Sequence, residues 1–391
     1  MKKPNKVVIL IMDSVGCGAS PDAVRFGDES CDTLGHVSQH VGGLKIPNLQ
    51  SLGLGNIHNI LGCPEVKKPL ANFGKMQEAS PGKDTTTGHW EMAGLVLKEE
   101  FPVYKNGFPE EIIKPFEEAT GRKVMGNKPS SGTVILDELG EKHMKNGEWI
   151  VYTSGDSVFQ IAAHEEVIPI EELYEACKIA RKMLDPYKIG RVIARPFVGE
   201  PGSFKRTYNR HDYSILPGEK TLLDKLVDSG IPVWGVGKIS DIFAGQGISK
   251  SFPTKGNKDG MMTTVKCTKE IDSGLIFTNL VDFDSAYGHR NNPEGYAKAL
   301  EEFDQDLPEV IDALSDGDWL MISADHGCDP TYLATTDHSR EYVPFIFYVK
   351  GHDNGVNLGI RESFADLGQT IADGFGIDSL GNGVSALKEI S

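Results

Sequence analysis

Short runs of apolar residues recur along this chain and predict buried β-strands. The clearest runs are at residues 6–12, 231–237, 275–281, 319–323 and 343–349. They are continuous rather than alternating, which is typical of strands whose two faces are both covered by helices. Helical patterns lie between them, at 362–374 and at 293–314, which Pro293 opens. The pattern predicts an α/β fold with a mainly parallel sheet sandwiched by helices.

The middle of the chain predicts a second, smaller α/β domain. Its own strand-like and helical patterns are at residues 149–153, 191–198 and 170–184. We therefore expect a core domain formed by residues 1–97 and 219–391, interrupted by an inserted domain at residues 98–218. A chain of 391 residues is long enough for both domains.

Composition and charge narrow the range of functions. Hydrophobic residues make up 39% of the chain and charged residues 25%, as in ordinary soluble globular proteins. The net charge of -16 argues against a general affinity for nucleic acid or for an anionic membrane surface. No run approaches the roughly 18 to 20 apolar residues of a membrane span, and we expect no signal peptide. Six scattered cysteines without a CxxC pair fit reduced thiols in a cytoplasmic protein.

Acidic residues and histidines follow the carboxyl ends of three of the predicted strands. They are Asp13, Asp284 with His289, and Asp325 with His326, while His338 comes from the next loop. Ligands of open α/β sheets bind beyond the carboxyl ends of the strands, so these side chains are expected at one edge. Asp13 alone, or Asp284 alone, would be better explained by a helix N-cap or an Asx turn, whereas the adjacent pair Asp325 and His326 leaves little room for a capping role for both. Their coincidence at one edge favours a metal site.

Three carboxylates and three imidazoles without a thiolate predict two mixed nitrogen and oxygen sites. Such ligands suit Mn²⁺, Zn²⁺ or Fe²⁺ better than Mg²⁺. Two metals about 3.5–4 Å apart can hold the oxygens of a phosphoryl group during its displacement. The ligand set therefore predicts a two-metal phosphoryl-transfer enzyme. Cys328 lies two residues after His326, but the six other ligands already fill two sites.

Hydroxyl and basic groups complete a candidate phosphoryl-transfer site. Thr85, Thr86 and Thr87 follow a probable strand and begin a probable helix, where the helix N-terminus favours negative charge. A threonine N-cap with Glu91 nearby is the alternative, and the spacing does not select one of the three threonines. The basic candidates for the rest of a phosphate ester are Lys238, Arg191, Arg195 and Arg206, although most arginines in any chain are solvated.

Long motifs resemble the phosphopentomutase family of the alkaline phosphatase superfamily along essentially the whole chain. They include GKDTTTGHWEMAG at 82–94, YTSGDSVFQIAAHEE at 152–166, NLVDFDSAYGHRN at 279–291 and ADHGCDPTYLATTDHSREYVP at 324–344. The resemblance implies an isomerase that interconverts α-D-ribose 1-phosphate and D-ribose 5-phosphate, and the 2-deoxyribose equivalents. It also implies a phosphothreonine enzyme, a pentose 1,5-bisphosphate intermediate and a role in nucleoside metabolism.

The resemblance also divides the candidate residues into roles. Thr85 would carry the phosphoryl group. One Mn²⁺ would be held by Asp13, Asp325, His326 and the phosphothreonine, and a second by Asp284, His289 and His338. The inserted domain would be a cap, and the substrate-binding residues would be Ser154, Asp156, Arg191, Arg206 and Lys238. A sugar bisphosphate, glucose 1,6-bisphosphate or ribose 1,5-bisphosphate, would act as the activator.

Two alternatives come from different functional classes. Another enzyme of the superfamily, such as a cofactor-independent phosphoglycerate mutase or a metal-dependent phosphatase, would share the metal motifs. A non-catalytic sugar-phosphate-binding protein would be expected to have lost Thr85 or a metal ligand, and all of these residues are present. We expect small-molecule pentose phosphates as partners, and no nucleic acid, membrane or obligate protein partner.

Overall fold

A computed structural model describes residues 3–390. In chain order, the strands are β1 (Lys6–Met12), β2 (Asn72–Met76), β3 (Val124–Pro129), β4 (Trp149–Thr153), β5 (Val158–His164), β6 (Arg191–Val198), β7 (Lys205–Arg206), β8 (His211–Ser214), β9 (Val233–Val236), β10 (Lys250–Phe252), β11 (Gly274–Leu280), β12 (Trp319–Ser323), β13 (Val343–Val349) and β14 (Asn357–Arg361). The helices are α1 (Thr33–His40), α2 (Pro47–Ser51), α3 (Leu54–Ile57), α4 (Thr85–Met92), α5 (Glu110–Thr120), α6 (Gly132–Asn146), α7 (Ile170–Leu184), α8 (Leu222–Asp228), α9 (Ile239–Ile242), α10 (Asn257–Glu270), α11 (Pro293–Ala313) and α12 (Ala365–Phe375).

The chain divides into two compact units. Residues up to 99 and from 217 onward form a core unit, and residues 100–216 form an inserted unit. These boundaries lie two residues inside those expected from the sequence, at 98 and 218. Among residues 3–390, no helix combines the length and the apolar character that crossing a membrane would require.

The core unit is built on an eight-stranded sheet with the order β10-β9-β11-β1-β12-β13-β2-β14. Its pairs are parallel except at β13, which runs antiparallel to both β12 and β2. Every residue of β11, β12 and β13 is buried, as expected for strands covered on both faces. The prediction of a mainly parallel α/β sheet from continuous apolar runs is therefore confirmed.

The strand register at the centre of this sheet aligns three strand ends. Met12 at the end of β1 pairs with Leu280 at the end of β11. On the other side of β1, Ile11 pairs with Ser323 at the end of β12. Because the three strands are parallel, the residues that follow them emerge at the same edge.

The inserted unit is a smaller α/β structure with its own core. Its sheet has the order β3-β4-β5-β6-β7, and β8 also pairs with β6. One face carries a large apolar cluster that includes residues of α5 and α7, among them Phe116, whose ring meets that of Phe159 edge-on at 5.3 Å. The opposite face packs against Ile135 and Leu136 of α6. Both faces of the sheet thus carry buried apolar side chains.

Candidate metal centre

The common edge of β1, β11 and β12 positions the acidic candidates. Asp13 directly follows β1, and its backbone N–H donates to the carbonyl oxygen of Leu280 at 3.3 Å. Asp284 lies in a π-helical turn, Phe283–Tyr287, and His289 lies in the 3₁₀ turn that follows it. π-Helical turns are rare and are frequently found at functional sites. Asp325 lies two residues beyond the end of β12.

Asp13, Asp325 and His326 form the first of two ligand trios. One candidate ligand atom from each residue lies within 4.8 Å of the other two. His326 Nε2 lies 3.5 Å from Asp13 Oδ1 and 3.4 Å from Asp325 Oδ2. The three side chains are almost completely removed from solvent. Three convergent N and O atoms in this space match the chemistry of a divalent-cation site.

Asp284, His289 and His338 form the second trio, with candidate ligand atoms again within 4.8 Å of one another. His289 Nε2 lies 3.2 Å from Asp284 Oδ2, and His338 Nε2 lies 3.6 Å from Asp284 Oδ1. The imidazole of His338 also stacks on that of His326, with ring centroids 3.9 Å apart. This stacking places the two trios side by side.

Buried oxygen atoms without hydrogen-bond donors show that the trios suit cations. Among the described residues, Asp13 Oδ1 in the first trio and Asp284 Oδ1 in the second are buried and accept no hydrogen bond. Burying a carboxylate oxygen without a compensating partner is costly, and a bound cation would compensate it. The ligands identified from the sequence therefore fit two metal ions in their donor chemistry as well as in their proximity.

The electrostatics of the trios agree with this fit. Burial, helped by the charge of Asp325, raises the pKa of Asp13 to about 7. Burial opposes protonation of the two histidines, but nearby carboxylates outweigh it and raise the pKa of His326 to about 9 and that of His289 to about 12. The carboxylates thus favour positive charge at this edge, which a divalent cation would supply once the imidazoles are neutral.

Thr85 is the first residue of α4 and faces the first trio. Its Oγ1 lies 3.3 Å from His326 Nε2. The helix N-cap is Asp84, whose carboxylate accepts from the backbone N–H of Thr87 at 3.1 Å. The alternative of a threonine N-cap is therefore wrong. Thr87 Oγ1 also donates to Asp84, so Thr85 and Thr87 make different contacts.

Glu91 does not take part in capping. Its carboxylate instead accepts backbone hydrogen bonds from Ala79 at 2.8 Å and from Ser80 at 2.6 Å. These residues belong to the loop that leads into α4. Glu91 therefore stabilises the approach to Thr85 rather than the helix terminus itself.

Two polar contacts of the carboxylates were not anticipated from the sequence. Asn279, one residue before the end of β11, donates through Nδ2 to Asp13 Oδ2 at 2.8 Å. His89 Nδ1 lies 2.9 Å from the carbonyl oxygen of Thr85 and 3.2 Å from Asp325 Oδ2. Both side chains are buried. The asparagine inside the apolar run LIFTNL is a sequence signal for such a contact, because a polar side chain in a buried strand requires a hydrogen-bond partner.

Three of the substrate-binding candidates cluster within the inserted unit. Arg191 Nη2 donates to Asp156 Oδ2 at 3.1 Å, and the backbone N–H of Asp156 lies 3.4 Å from Ser154 Oγ. Arg206 lies on β7, and its guanidinium lies close to Gly132 at the start of α6, where a Cβ atom would be 3.0 Å from Arg206 Nη1. Lys238, in the core unit, is the exposed N-cap residue of α9.

Cys328 differs from the six candidate ligands in its chemistry. Burial raises the pKa of its thiol to about 11. Its Sγ lies 3.6 Å from the carbonyl oxygen of Asp337, to which the S–H donates. A protonated thiol is a poor metal ligand. All six cysteines are buried free thiols.

Comparisons with known proteins assign the chain to a family. The sequence profile of the Metalloenzyme superfamily matches residues 5–379. The chain is 59% identical to a phosphopentomutase of Carboxydothermus hydrogenoformans, over 95% of this chain and 96% of that protein. It is 57% identical to a phosphopentomutase of Kosmotoga olearia, over 98% and 99% of the two chains. A phosphopentomutase of Thermotoga petrophila is also 57% identical, over 97% and 98%. The chain therefore belongs to the Metalloenzyme superfamily and, within it, to the phosphopentomutase family of isomerases.

Proposed function

We propose that this chain interconverts α-D-ribose 1-phosphate and D-ribose 5-phosphate, and the 2-deoxyribose equivalents, in nucleoside and pentose phosphate metabolism. The observation that carries the proposal is the position of Thr85, whose Oγ1 lies 3.3 Å from His326 Nε2 beside two adjacent ligand trios. The names and the high identity of the relatives support the same activity.

We assign two Mn²⁺ ions to the two trios. Asp13, Asp325 and His326 would hold one ion together with the phosphorylated Thr85, and Asp284, His289 and His338 would hold the other. Mixed carboxylate and imidazole ligands suit Mn²⁺. When bound, the ions neutralise charge on the transferring phosphoryl group, which is the main demand in phosphoryl transfer.

In the proposed reaction, Thr85 donates one phosphoryl group to the sugar and then receives another from it. The free hydroxyl of the sugar monophosphate attacks the phosphorus on Thr85; the bond from phosphorus to Thr85 Oγ1 breaks, and the hydroxyl proton is transferred to Oγ1. This step gives a pentose 1,5-bisphosphate. Thr85 Oγ1 then attacks the other phosphate of the intermediate, and the released sugar oxygen regains the proton. A bisphosphate such as glucose 1,6-bisphosphate primes Thr85 by the same transfer.

Substrate recognition is proposed for Ser154, Asp156, Arg191, Arg206 and Lys238. Arginine binds phosphate through two parallel N–H groups, and Arg191 is already oriented by its 3.1 Å contact with Asp156. We propose that the inserted unit acts as a cap, since a phosphothreonine enzyme must exclude water to transfer to sugar rather than hydrolyse.

The activity is tested directly with purified protein, Mn²⁺ and ribose 5-phosphate, primed with a trace of glucose 1,6-bisphosphate. We expect ribose 1-phosphate to appear in phosphorus NMR spectra without equivalent release of inorganic phosphate. Rapid release of inorganic phosphate without a mutase product would overturn the proposal in favour of a phosphatase. Conversion of 3-phosphoglycerate instead would favour a phosphoglycerate mutase.

The nucleophile is tested by mass spectrometry after incubation with glucose 1,6-bisphosphate. The wild-type chain and the T86A variant should gain one phosphoryl group, on the peptide that contains Thr85. T85A should gain none while still binding two Mn²⁺ ions. A phosphorylated T85A protein would show that another residue is the nucleophile.

A further inference from the structure

Arg340 is a buried arginine whose guanidinium is fully bonded. Only 2% of the residue is exposed. Its Nε donates to Asp22 Oδ1 at 3.1 Å, and Nη2 donates to Asp22 Oδ2 at 3.0 Å. The remaining N–H groups donate to Glu78 Oε2 and to the carbonyl oxygens of Glu78 and Gly82, at 2.5, 2.6 and 2.5 Å respectively. All five N–H donors of the side chain therefore have partners.

Two of these partners are backbone carbonyl oxygens in the loop that leads to Thr85. Residues 77–84 connect β2 to α4, and Arg340 bonds the carbonyl oxygens of Glu78 near the start and Gly82 near the end. Between them, Glu91 binds the backbone N–H groups of Ala79 and Ser80. The loop is thus fixed at several points immediately before the N-cap residue of α4.

The backbone of Arg340 is also hydrogen-bonded, within the segment that carries His338 of the second trio. Arg340 lies two residues after His338. Its backbone N–H donates to Asp28 Oδ2 at 2.9 Å, and its carbonyl oxygen accepts from the backbone N–H of Ser20 at 3.1 Å. Arg340 therefore connects the segment that carries His338 to the loop that leads to Thr85.

We propose that Arg340 is a positioning residue for phosphoryl transfer, which sets the location of Thr85 relative to the ligand trios. This inference rests on the proposed function, because it assigns Thr85 as the acceptor of the phosphoryl group. Arg340 acts through the 77–84 loop. Displacements of about 1 Å at a reacting atom can cost about a hundredfold in rate, so loss of these bonds has a catalytic consequence beyond stability.

A planar guanidinium is required for this role. The guanidinium donates to two carbonyl oxygens and two carboxylates at once through five N–H groups on three nitrogen atoms. The ammonium group of lysine has only three N–H donors, all on one atom. R340K therefore retains the positive charge opposite Asp22 and Glu78 but loses simultaneous contact with Glu78 O and Gly82 O. R340M removes both the charge and the bonds.

Arg361 provides a matched control in the same unit. It is also buried, at 8% exposure, and its guanidinium donates to Asp366 at 2.7 Å, to Glu389 at 2.5 Å and to the carbonyl oxygen of Val384 at 2.9 Å. These partners belong neither to the trios nor to the 77–84 loop. Arg361 contacts that loop through its backbone carbonyl oxygen, which accepts from the backbone N–H of Gln77 at 2.8 Å, and R361K leaves this bond in place. R361K therefore loses a comparable set of charge-assisted side-chain bonds without removing a bond to the 77–84 loop.

The test compares kcat, KM, Mn²⁺ content and unfolding temperature of R340K, R340M and R361K, together with the rate at which glucose 1,6-bisphosphate phosphorylates Thr85. In R340K, we expect kcat and the phosphorylation rate to fall by about tenfold to a hundredfold, while KM and Mn²⁺ content stay within about twofold of wild type. R361K should lose thermal stability but keep the wild-type kcat. R340M should be at least as impaired as R340K.

A wild-type kcat in folded R340K, or an equal loss of kcat in R361K, would overturn the positioning role. Should R340M fail to fold, R340K alone still decides between these outcomes. Failure of the proposed function is distinguishable, because the wild-type chain itself would then show no mutase activity and no phosphorylation of Thr85.

Discussion

Asn279 holds Asp13 by a 2.8 Å hydrogen bond from its side-chain Nδ2 to Asp13 Oδ2. The bond connects adjacent strands, since Asn279 pairs in register with Ile11 two residues before Asp13. It occupies one oxygen of the carboxylate and leaves Asp13 Oδ1 with no hydrogen bond among the described residues. The oxygen that is left is the one that lies 3.5 Å from His326. Asn279 thus orients a candidate ligand.

Replacing Asn279 should weaken metal binding without removing a ligand. In N279A, the Asp13 carboxylate is free to rotate, and we expect the affinity of the first trio for Mn²⁺ to fall by about 10–100-fold. Calorimetric titration of the metal-stripped protein measures this change. N72A is the control, because Asn72 is also buried but is hydrogen-bonded to Phe347 O and Val356 N–H, so Mn²⁺ affinity should be unchanged. Equal affinity in N279A and wild type would refute the orienting role.

Much of the fold could be predicted from apolar runs, but two kinds of strand could not. β1, β12 and β13 have the predicted bounds, because strands buried on both faces require continuous apolar sequence. β5 was missed because Gln160 interrupts its short apolar run and His164 ends it, although both side chains are buried and hydrogen-bonded. β14 was missed because it is an edge strand with mostly exposed residues.

The same contrast applies to the candidate site. The proposed ligands were identified because each lies in a recognisable place along the chain, shortly after a strand or within a dense polar motif. Asn279 acts on a residue 266 positions away, and Arg340 on Glu78, 262 positions away. No local pattern signals such partners, since only the strand register and loop packing bring them together.

Removal of metal should destabilise the core unit through the two trios. A cation that binds only the folded state adds about 2.7 kcal/mol when its free concentration is about 100-fold above Kd. We therefore expect Mn²⁺ to raise the unfolding temperature of metal-stripped wild type in a calorimetric scan. D284N/H338A should show a smaller rise, because it retains only the first trio. D228N, which alters a surface ion pair with Lys220, should retain the full rise. An undiminished rise in D284N/H338A would exclude the second trio as a metal site.

Loss of Glu91 should be among the most damaging single changes in the core unit. Its buried carboxylate accepts four hydrogen bonds, from Ala79 N, Ser80 N, Ser363 Oγ and Phe364 N, at 2.6–2.9 Å. In E91A these donors lose their partner in a buried site, and we expect the free energy of unfolding to fall by at least about 3 kcal/mol. Urea unfolding measures the loss. The control is E294A, at an exposed ion pair with His40, which should leave the unfolding midpoint unchanged. A similarly small effect of E91A would show that the four hydrogen bonds of Glu91 do not stabilise the core unit.

The inserted unit should lose stability in mild acid because of His143. This imidazole is fully buried; Nδ1 donates to the carbonyl oxygen of Glu148 at 2.6 Å, and Nε2 accepts from the backbone N–H of His164 at 2.9 Å. Protonation of Nε2 would destroy the acceptor, and burial lowers the pKa of His143 below its ordinary value. The unfolded chain, with a pKa of about 6.5, therefore binds more protons than the folded chain below that pH. The contribution of His143 to the free energy of unfolding is therefore fully present above about pH 6.5. It is lost as the pH falls, by at most about 1.4 kcal/mol per pH unit.

Hydrogen exchange measured from about pH 7 to about pH 5, and corrected for intrinsic rates, tests this dependence. Peptides from α6 and β5 should lose protection as the pH falls, because His143 connects these two elements. H143Q should flatten the dependence, since glutamine offers a donor and an acceptor that do not titrate. H211Q, at an exposed histidine of the same unit, should leave it unchanged. Protection in α6 and β5 that stays constant over this range in the wild-type chain would show that His143 does not govern the acid response.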